Sequence, residues 1–357
     1  MAQELTDALG DIEDPALGAD IVSLGLVGSI DVDDGVATVP LALGAPYSPV
    51  ETDIVASVRE AIETAGYDPD LVIDIDDRTL ANDPGTPIVV GVASGRSGVG
   101  KTTVAVNLAA AVAGRGAAVG LLDLDVDRPT VPRLLGVRDR DLGGDSAGVV
   151  SLDRHGIVVR SVGSMDPGGD PGRGRAALLE DAITALYAEA DWSGVDFLVV
   201  DFPIGIGGLR ETALDRLPVT GVVGVTTPQT VAIDEYRAFV RAVDRRDAHL
   251  LGSVVNMSGL VCPECGEIER LSDGADRIDR EFDAPVLGEI PFDPTVQAAN
   301  DHGRPIVTSE DRSIVWAFER LAMEALDRIG ALRRRSHVVA NGPEETGTRD
   351  GQVPDTP

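Results

Sequence analysis

The chain has 357 residues, 60 of them Asp or Glu and 30 Lys or Arg, for a formal net charge of −30. Two cysteines in so long a chain exclude a disulfide scaffold. No apolar run approaches the roughly 20 residues of a membrane span, and so acidic a protein is a poor partner for a nucleic-acid backbone. The acidic start, Met1 to Glu13, lacks the basic-then-apolar layout of a signal peptide, so a cytoplasmic location is expected. The length suggests about two domains, and 43% hydrophobic residues with 41 Gly provide ample core material. The basic residues are 29 Arg and a single Lys, Lys101. Large like-sign charge keeps a protein soluble. With Lys nearly absent, it also fits a salt-loving archaeon, whose saline cytoplasm screens self-repulsion.

Residues 1–78 alternate short helical and strand patterns. A helix over Glu4–Leu9 leads through Asp14-Pro15 to a strand over Gly25–Val32. Asp33-Asp34-Gly35 signals a hairpin turn into a second strand, Val36–Leu43. The loop Gly44–Pro49 precedes a helix over Val50–Ala65 and a strand over Leu71–Ile75. Thr79–Thr86, polar with Pro and Gly, reads as a linker. From Pro87 to Arg335 the strands are Ile88–Ala93, Ala118–Leu124, Ile157–Val162, Phe197–Asp201, Thr220–Thr226, Leu250–Val255 and Val286–Ile290. Most are continuous apolar runs, the mark of strands covered on both faces. The expected fold is α/β: a mainly parallel sheet flanked by helices, preceded by a small α/β domain. A helix over Arg312–Arg334 closes it, and the polar stretch Ser336–Pro357 is expected to be disordered.

After Ile88–Ala93 comes Ser94-Gly95-Arg96-Ser97-Gly98-Val99-Gly100-Lys101-Thr102-Thr103, then an apolar helix over Val104–Ala113. Gly95, Gly100, Lys101 and Thr102 match G-x-x-x-x-G-K-S/T in the strand–loop–helix context that a phosphate loop requires. Its glycines let backbone N–H groups converge on phosphate oxygens, and the helix N-terminus adds a field that favours anions. Lys101 is placed to reach the β- and γ-phosphates and Thr102 to hold Mg²⁺. The lone lysine sits where a compact ammonium fits and a guanidinium fork does not. Asp123-Leu124-Asp125-Val126-Asp127 and Asp201 lie at the C-terminal ends of two strands, where ligands bind in such sheets. Alternation directs Asp123 and Asp125 to one side of the chain.

With these motifs together, the chain resembles the Mrp/ApbC type of nucleotide-binding iron–sulfur carrier, within the MinD/ParA group of dimerising P-loop ATPases. SGRSGVGKTT resembles that family's SGKGGVGK(S/T)T, and LLDLDVDRPTVPRLLG its LLDADxxGPSxPxxxG. VDFLVVDFPIGIG resembles DYLIIDxPPGTGD, VTTPQTVA resembles VTTPQxVA, and VVNMSGLVCPECG resembles xxNMSxxxCPxCG. LGEIPFDPTVQAANDHGRPIV is similar to LGxIPxDPxxxxxxDxGxPxV. Residues 1–78 resemble the iron–sulfur maturation module often fused ahead of such ATPases. The resemblance implies ATP held between two subunits, with Asp125 orienting the attacking water and Asp201 supporting Mg²⁺. It implies that Asn256 and Pro291-Phe292-Asp293 line the adenine, and that Arg96 contacts phosphates across the dimer. Arg96 replaces the family's Lys and Ser97 a Gly. Ile204, Ile206 and Gly208 replace Pro, Thr and Asp, which points to slow hydrolysis. Ser48 stands where relatives often carry Cys, so the front domain is expected to lack thiol chemistry.

Cys262 and Cys265 form a C-P-E-C pair. Two thiolates can chelate one metal but cannot complete the four-cysteine shell of a [4Fe–4S] cluster. A two-fold dimer duplicates any site on its axis, so the family's dimer implies a bridging cluster, handed on to apo iron–sulfur client proteins. A bridging Zn²⁺, a redox disulfide and a vestigial pair are the other readings. At the level of function, the alternative is a MinD/ParA-like spatial or regulatory switch without a cluster. His155, His249, His302 and His337 follow no ligand spacing. Arg333-Arg334-Arg335 reads as cations complementing a helix C-terminus rather than a membrane anchor.

Overall fold

The computed structural model describes residues 2–74, 86–125, 129–137, 149–162, 175–203, 209–246, 248–262, 264–282, 284–310 and 312–341. The expectations for Asp127, for Ile204, Ile206 and Gly208, for most of the linker and for residues beyond Asn341 lie outside them.

The first part of the chain contains α1 (Ala2–Leu9), β1 (Glu13–Asp14), β2 (Ala19–Asp20), β3 (Asp31–Asp33), β4 (Val36–Leu41), α2 (Pro49–Thr64) and β5 (Asp68–Ile73). β4 lies between antiparallel β3 and parallel β5. It alternates, so Ala37, Val39 and Leu41 face a core with Leu5, Leu9, Ile54, Val58 and Ile62. The hairpin signal is realised: Asp33 pairs with Val36, with Asp34 and Gly35 at φ 45° and 85°, the two positive values that a tight type I′ turn needs. The strand expected over Gly25–Val32 is shorter. Only Asp31–Asp33 joins the sheet, with a single bridge from Val27 to Leu41.

The second part contains β6 (Ile88–Ser94), α3 (Lys101–Gly114), β7 (Val119–Asp123), α4 (Val131–Leu134), β8 (Val149–Arg154), β9 (Ile157–Val162), α5 (Arg175–Ile183) and β10 (Phe197–Asp201). It continues with α6 (Leu209–Arg216), β11 (Gly221–Thr226), α7 (Thr230–Asp244), β12 (Leu250–Val261), β13 (Ile268–Arg270), α8 (Gly274–Glu281), β14 (Val286–Phe292), α9 (Pro294–Asp301) and α10 (Arg312–Asn341). The strands form one sheet in the order β13-β12-β11-β6-β10-β7-β9-β8, with β14 also on β12. Its inner pairs are parallel, and β8 and β13 add antiparallel edges that the sequence reading did not include. β6, β7, β10 and β11 are buried along their whole length. One core cluster joins the sheet to α3 and α10, and another joins it to α5, α6, α7 and α8, as parallel strands require.

α10 does not end at Arg334. It runs on to Asn341, so Ser336–Asn341, expected in a disordered tail, is helical, and Val338 packs against the core of the first sheet. Arg333 and Arg334 therefore lie inside the helix and not at its C-terminus. Arg334 is fully buried, with Nε 2.6 Å from Asp14 and Nη1 2.5 Å from Glu51. Arg333 donates to the Gly44 carbonyl. Asp327, about two helical turns back, accepts from Ser48 Oγ at 2.5 Å and from the Val50 N–H at 3.0 Å. Arg115, just past α3, donates to the Tyr47 carbonyl at 3.1 Å. The loop ahead of α2 is thus clamped onto α10. Ser48 is the buried N-cap of α2 and accepts from the Glu51 N–H. It serves this joint, where a hydroxyl both donates to Asp327 and caps the helix.

Candidate nucleotide site and cysteine hairpin

The phosphate loop connects β6, at the centre of the sheet, to α3. Gly100 caps α3 at φ 88° and Gly98 sits at φ 83°, conformations that favour glycine. Gly95 has a second constraint: a Cβ there would lie 2.6 Å from the Glu235 carbonyl oxygen of α7. Ser97 fits without crowding. It is exposed, and its φ is not in the left-handed region. Val99 is buried, and its carbonyl accepts from Asn256 Nδ2 at 2.8 Å. Thr103 Oγ1 accepts from Asn300 Nδ2 at 3.3 Å.

Lys101 is nearly fully buried, and its ammonium is paired with Asp201 Oδ1. Thr102 Oγ1 donates to Asp201 Oδ2 at 2.8 Å. The three residues expected to handle phosphate and Mg²⁺ therefore meet at one point, at the ends of β6 and β10. Asp201 is in register with Asp123 of the neighbouring β7. Asp123 is fully buried and accepts from the N–H groups of Asp125 and Val131 and from Ser161 Oγ, each at 3.1 Å. Burial pushes its pKa up to about 7, helped by the Asp201 charge and opposed by the Asp125 N–H and Lys101. Asp123 and Asp125 thus differ. Asp123 is a buried brace for the turn after β7, whereas Asp125 lies past the strand end and is only half-buried.

Arg96 is exposed, with its guanidinium 3.8 Å from Glu235. Asn256 touches the phosphate loop itself: a Cβ on Gly100 would meet its Nδ2 at 2.1 Å. Pro291 is buried and Phe292 exposed, and Asp293 caps α9 by accepting from the Thr295 N–H at 2.8 Å. The backing of Gly95 by α7 and the Ser161 contact to Asp123 were not apparent in the motifs, because each joins residues far apart in sequence.

Cys262 follows β12 directly, at the tip of the β12–β13 hairpin. The Cys262 N–H donates to Glu267 O, and the Gly266 N–H to Cys262 O, both at 2.8 Å. Hydrogen bonds from the backbone N–H groups of Cys265 and Glu264, with the Cys265 side chain adding to them, hold the Cys262 thiol below its usual pKa. That favours the thiolate, the form that binds metals. Cys265 is exposed, with Sγ 3.9 Å from Glu267 Oε2. Among the described residues, no group of three or more His, Cys, Asp or Glu is arranged to hold a metal ion.

Residues 86–326 match the family described as ParA: NUBPL iron-transfer P-loop NTPase. The chain belongs to that family. It is a P-loop ATPase. Residues 2–68 match a second family, iron–sulfur cluster assembly protein. The chain is 34% identical over 321 residues to an iron–sulfur cluster carrier protein of Deinococcus radiodurans, covering 88% of this chain and 91% of that one. It is 33% identical to one from Mycobacterium leprae, covering 95% of each. Among solved structures, a nucleotide-binding protein from Archaeoglobus fulgidus in complex with ADP aligns with TM-score 0.52 and 28% identity, over 64% of this chain and 91% of that one. Pyrococcus horikoshii MinD with Mg-ADP shares the fold, at TM-score 0.51, 21% identity, and 66% and 95% coverage. The high-salt origin expected from composition finds no support in these relatives. No helix among the described residues is long and apolar enough to cross a membrane.

Proposed function

We propose that this protein is a cytoplasmic, homodimeric carrier that holds an iron–sulfur cluster between two chains and passes it to apo-proteins under the control of ATP. The observation that carries the reading is β12. Its Asn256 grips the phosphate loop, and six residues later it delivers Cys262 to an exposed hairpin tip. One strand therefore joins the nucleotide site to the thiols. Two cysteines are half of a four-sulfur shell, and a second copy related by a two-fold axis supplies the rest. Exposed Leu260, Ile268 and Leu271 lie on the same hairpin, with Phe292 opposite Leu260 on β14. They form an apolar border of the kind found at the core of a subunit interface.

At the nucleotide site, the loop N–H groups and the N-terminus of α3 receive the phosphates, and Lys101 neutralises them. Thr102 and Asp201 would hold Mg²⁺, which supplies positive charge against the phosphate oxygens. Asp201 partners both Lys101 and Thr102, so it gives the buried ammonium a counter-charge. Asp125 is assigned to positioning water, Arg96 to the partner chain's phosphates, and Pro291, Phe292 and Asp293 to the adenine border. Hydrolysis is slow in this reading, because Ile204, Ile206 and Gly208 lack the family's hydroxyl and carboxylate. A cluster-free MinD/ParA-like switch has no use for the cysteine hairpin.

The test is anaerobic reconstitution with iron and sulfide. Wild type should bind about four irons per dimer and sediment as a dimer, whereas Cys262→Ser and Cys265→Ser should lose iron. Unchanged iron in either variant would refute the bridging site.

A further inference from the structure

The phosphate loop starts from a contact that no motif contains. Arg210, the second residue of α6, donates from Nη1 to the carbonyl of Ser94 at 2.8 Å. Ser94 is the last residue of β6. The arginine side chain is 14% exposed, and its guanidinium lies 5.2 Å from the ring centroid of Phe239 on α7. Among the described residues, its Nε is buried without a hydrogen-bond partner. A cation in the first turn of a helix opposes the helix dipole, and burying it removes hydration. Glu211, with its carboxylate 3.7 Å away, offsets part of this. Packing alone would be met by an apolar side chain without that electrostatic cost.

The tie continues past Ser94. Ser94 Oγ donates to the Arg96 carbonyl at 3.0 Å. Gly95, between them, lies against the backbone of Glu235 and Tyr236 on α7. Glu235 is also the residue that faces the Arg96 guanidinium. Arg210 thus grips α7 through Phe239 and the first turn of the loop through Ser94, from the start of α6.

We infer that Arg210 is a positioning residue that couples α6 to the Ser94–Arg96 turn and so sets where the Arg96 cation stands during hydrolysis. The inference rests on the proposed role of Arg96 at phosphate. Any shift of α6 would pass through Arg210 to that turn. ATP binding, which depends on Lys101 and the loop N–H groups, would be little affected.

The experiment compares the full chain with Arg210→Met, Arg210→Gln, Arg210→Lys and Arg96→Ala. It measures kcat and KM for ATP, ADP affinity, and amide hydrogen exchange over residues 95–97. Met preserves much of the contact with Phe239 and removes the donor. In the Met and Gln variants kcat should fall about tenfold, the worth of one charge-assisted hydrogen bond. KM and ADP affinity should stay within about threefold, and exchange over 95–97 should quicken. Lys, which can still donate to Ser94, should recover part of kcat. Wild-type kcat in Arg210→Met, with a loss in Arg96→Ala, overturns the inference alone. Wild-type kcat in Arg96→Ala refutes the role of Arg96, and the inference falls with it. A Lys variant no better than Met, with kcat and ADP affinity falling together, would mark Arg210 as packing and overturn the inference.

Discussion

Replacing Arg334 with Met should detach the N-terminal sheet from α10. Arg334 joins two buried carboxylates, Asp14 and Glu51. Removing the cation strands both. Asp14 keeps the N–H groups of Ala16 and Leu17, at 2.8 and 3.1 Å. Glu51 keeps those of Gly44 and Ala45, at 3.2 and 2.8 Å. These bonds soften the loss without replacing the charge. Breaking one buried pair costs about 3–5 kcal/mol, so the single variant should lose about 4 kcal/mol from the opening free energy of this region. The triple variant Asp14→Asn, Glu51→Gln, Arg334→Met removes every charge and should recover most of it, since neutral replacement of a buried ion group is often tolerated. Hydrogen exchange at β4 and α2 across a urea series reads this opening separately from the large sheet. A loss under about 1 kcal/mol, or a triple variant as unstable as the single one, would refute the reasoning.

Other outcomes follow from the same contacts. Lys101→Ala should weaken ATP binding about a hundredfold or more, because the buried ammonium is the phosphate partner, and isothermal titration measures it. Asp123 has a folded pKa of about 7, above the ordinary aspartate value of 3.8. An acid whose pKa rises on folding binds more protons folded than unfolded between those values, so its contribution to stability falls as pH rises from about 4 to 7. Urea midpoints across that window should show the fall, and Asp123→Asn should flatten it. The net charge of −30 predicts that KCl between 0.1 and 2 M raises the melting temperature by at least about 5 °C through screening. Full stability at low salt would leave the acidity as a solubility feature only.

Local chemistry explains which features were legible in the sequence. The phosphate loop could be read because Gly95, Gly100, Lys101 and Thr102 meet a backbone requirement within a few residues. The buried strands could be read from their apolar runs, and the Asp34-Gly35 turn from the residues that tolerate positive φ. The edge strands β8 and β13 were missed because their pairing is set by neighbours and not by their own pattern. The end of α10 was misplaced because Arg333–Arg335 looks like a helix terminus. Only the fold shows that Arg334 is buried by Asp14, 320 residues away in sequence. Asn256 and Arg210 touch the phosphate loop through the same kind of long-range contact.

The central claim is that the protein hands on a cluster under the control of ATP, and cluster transfer measures it most directly. Reconstituted protein is mixed with an apo iron–sulfur enzyme, with and without Mg-ATP, and the enzyme's activity is followed. The account predicts transfer that depends on both Cys262 and Cys265 and changes in rate with Mg-ATP in wild type but not in Lys101→Ala. A loaded protein that keeps its cluster in every condition, or transfer that survives loss of both cysteines, would contradict it.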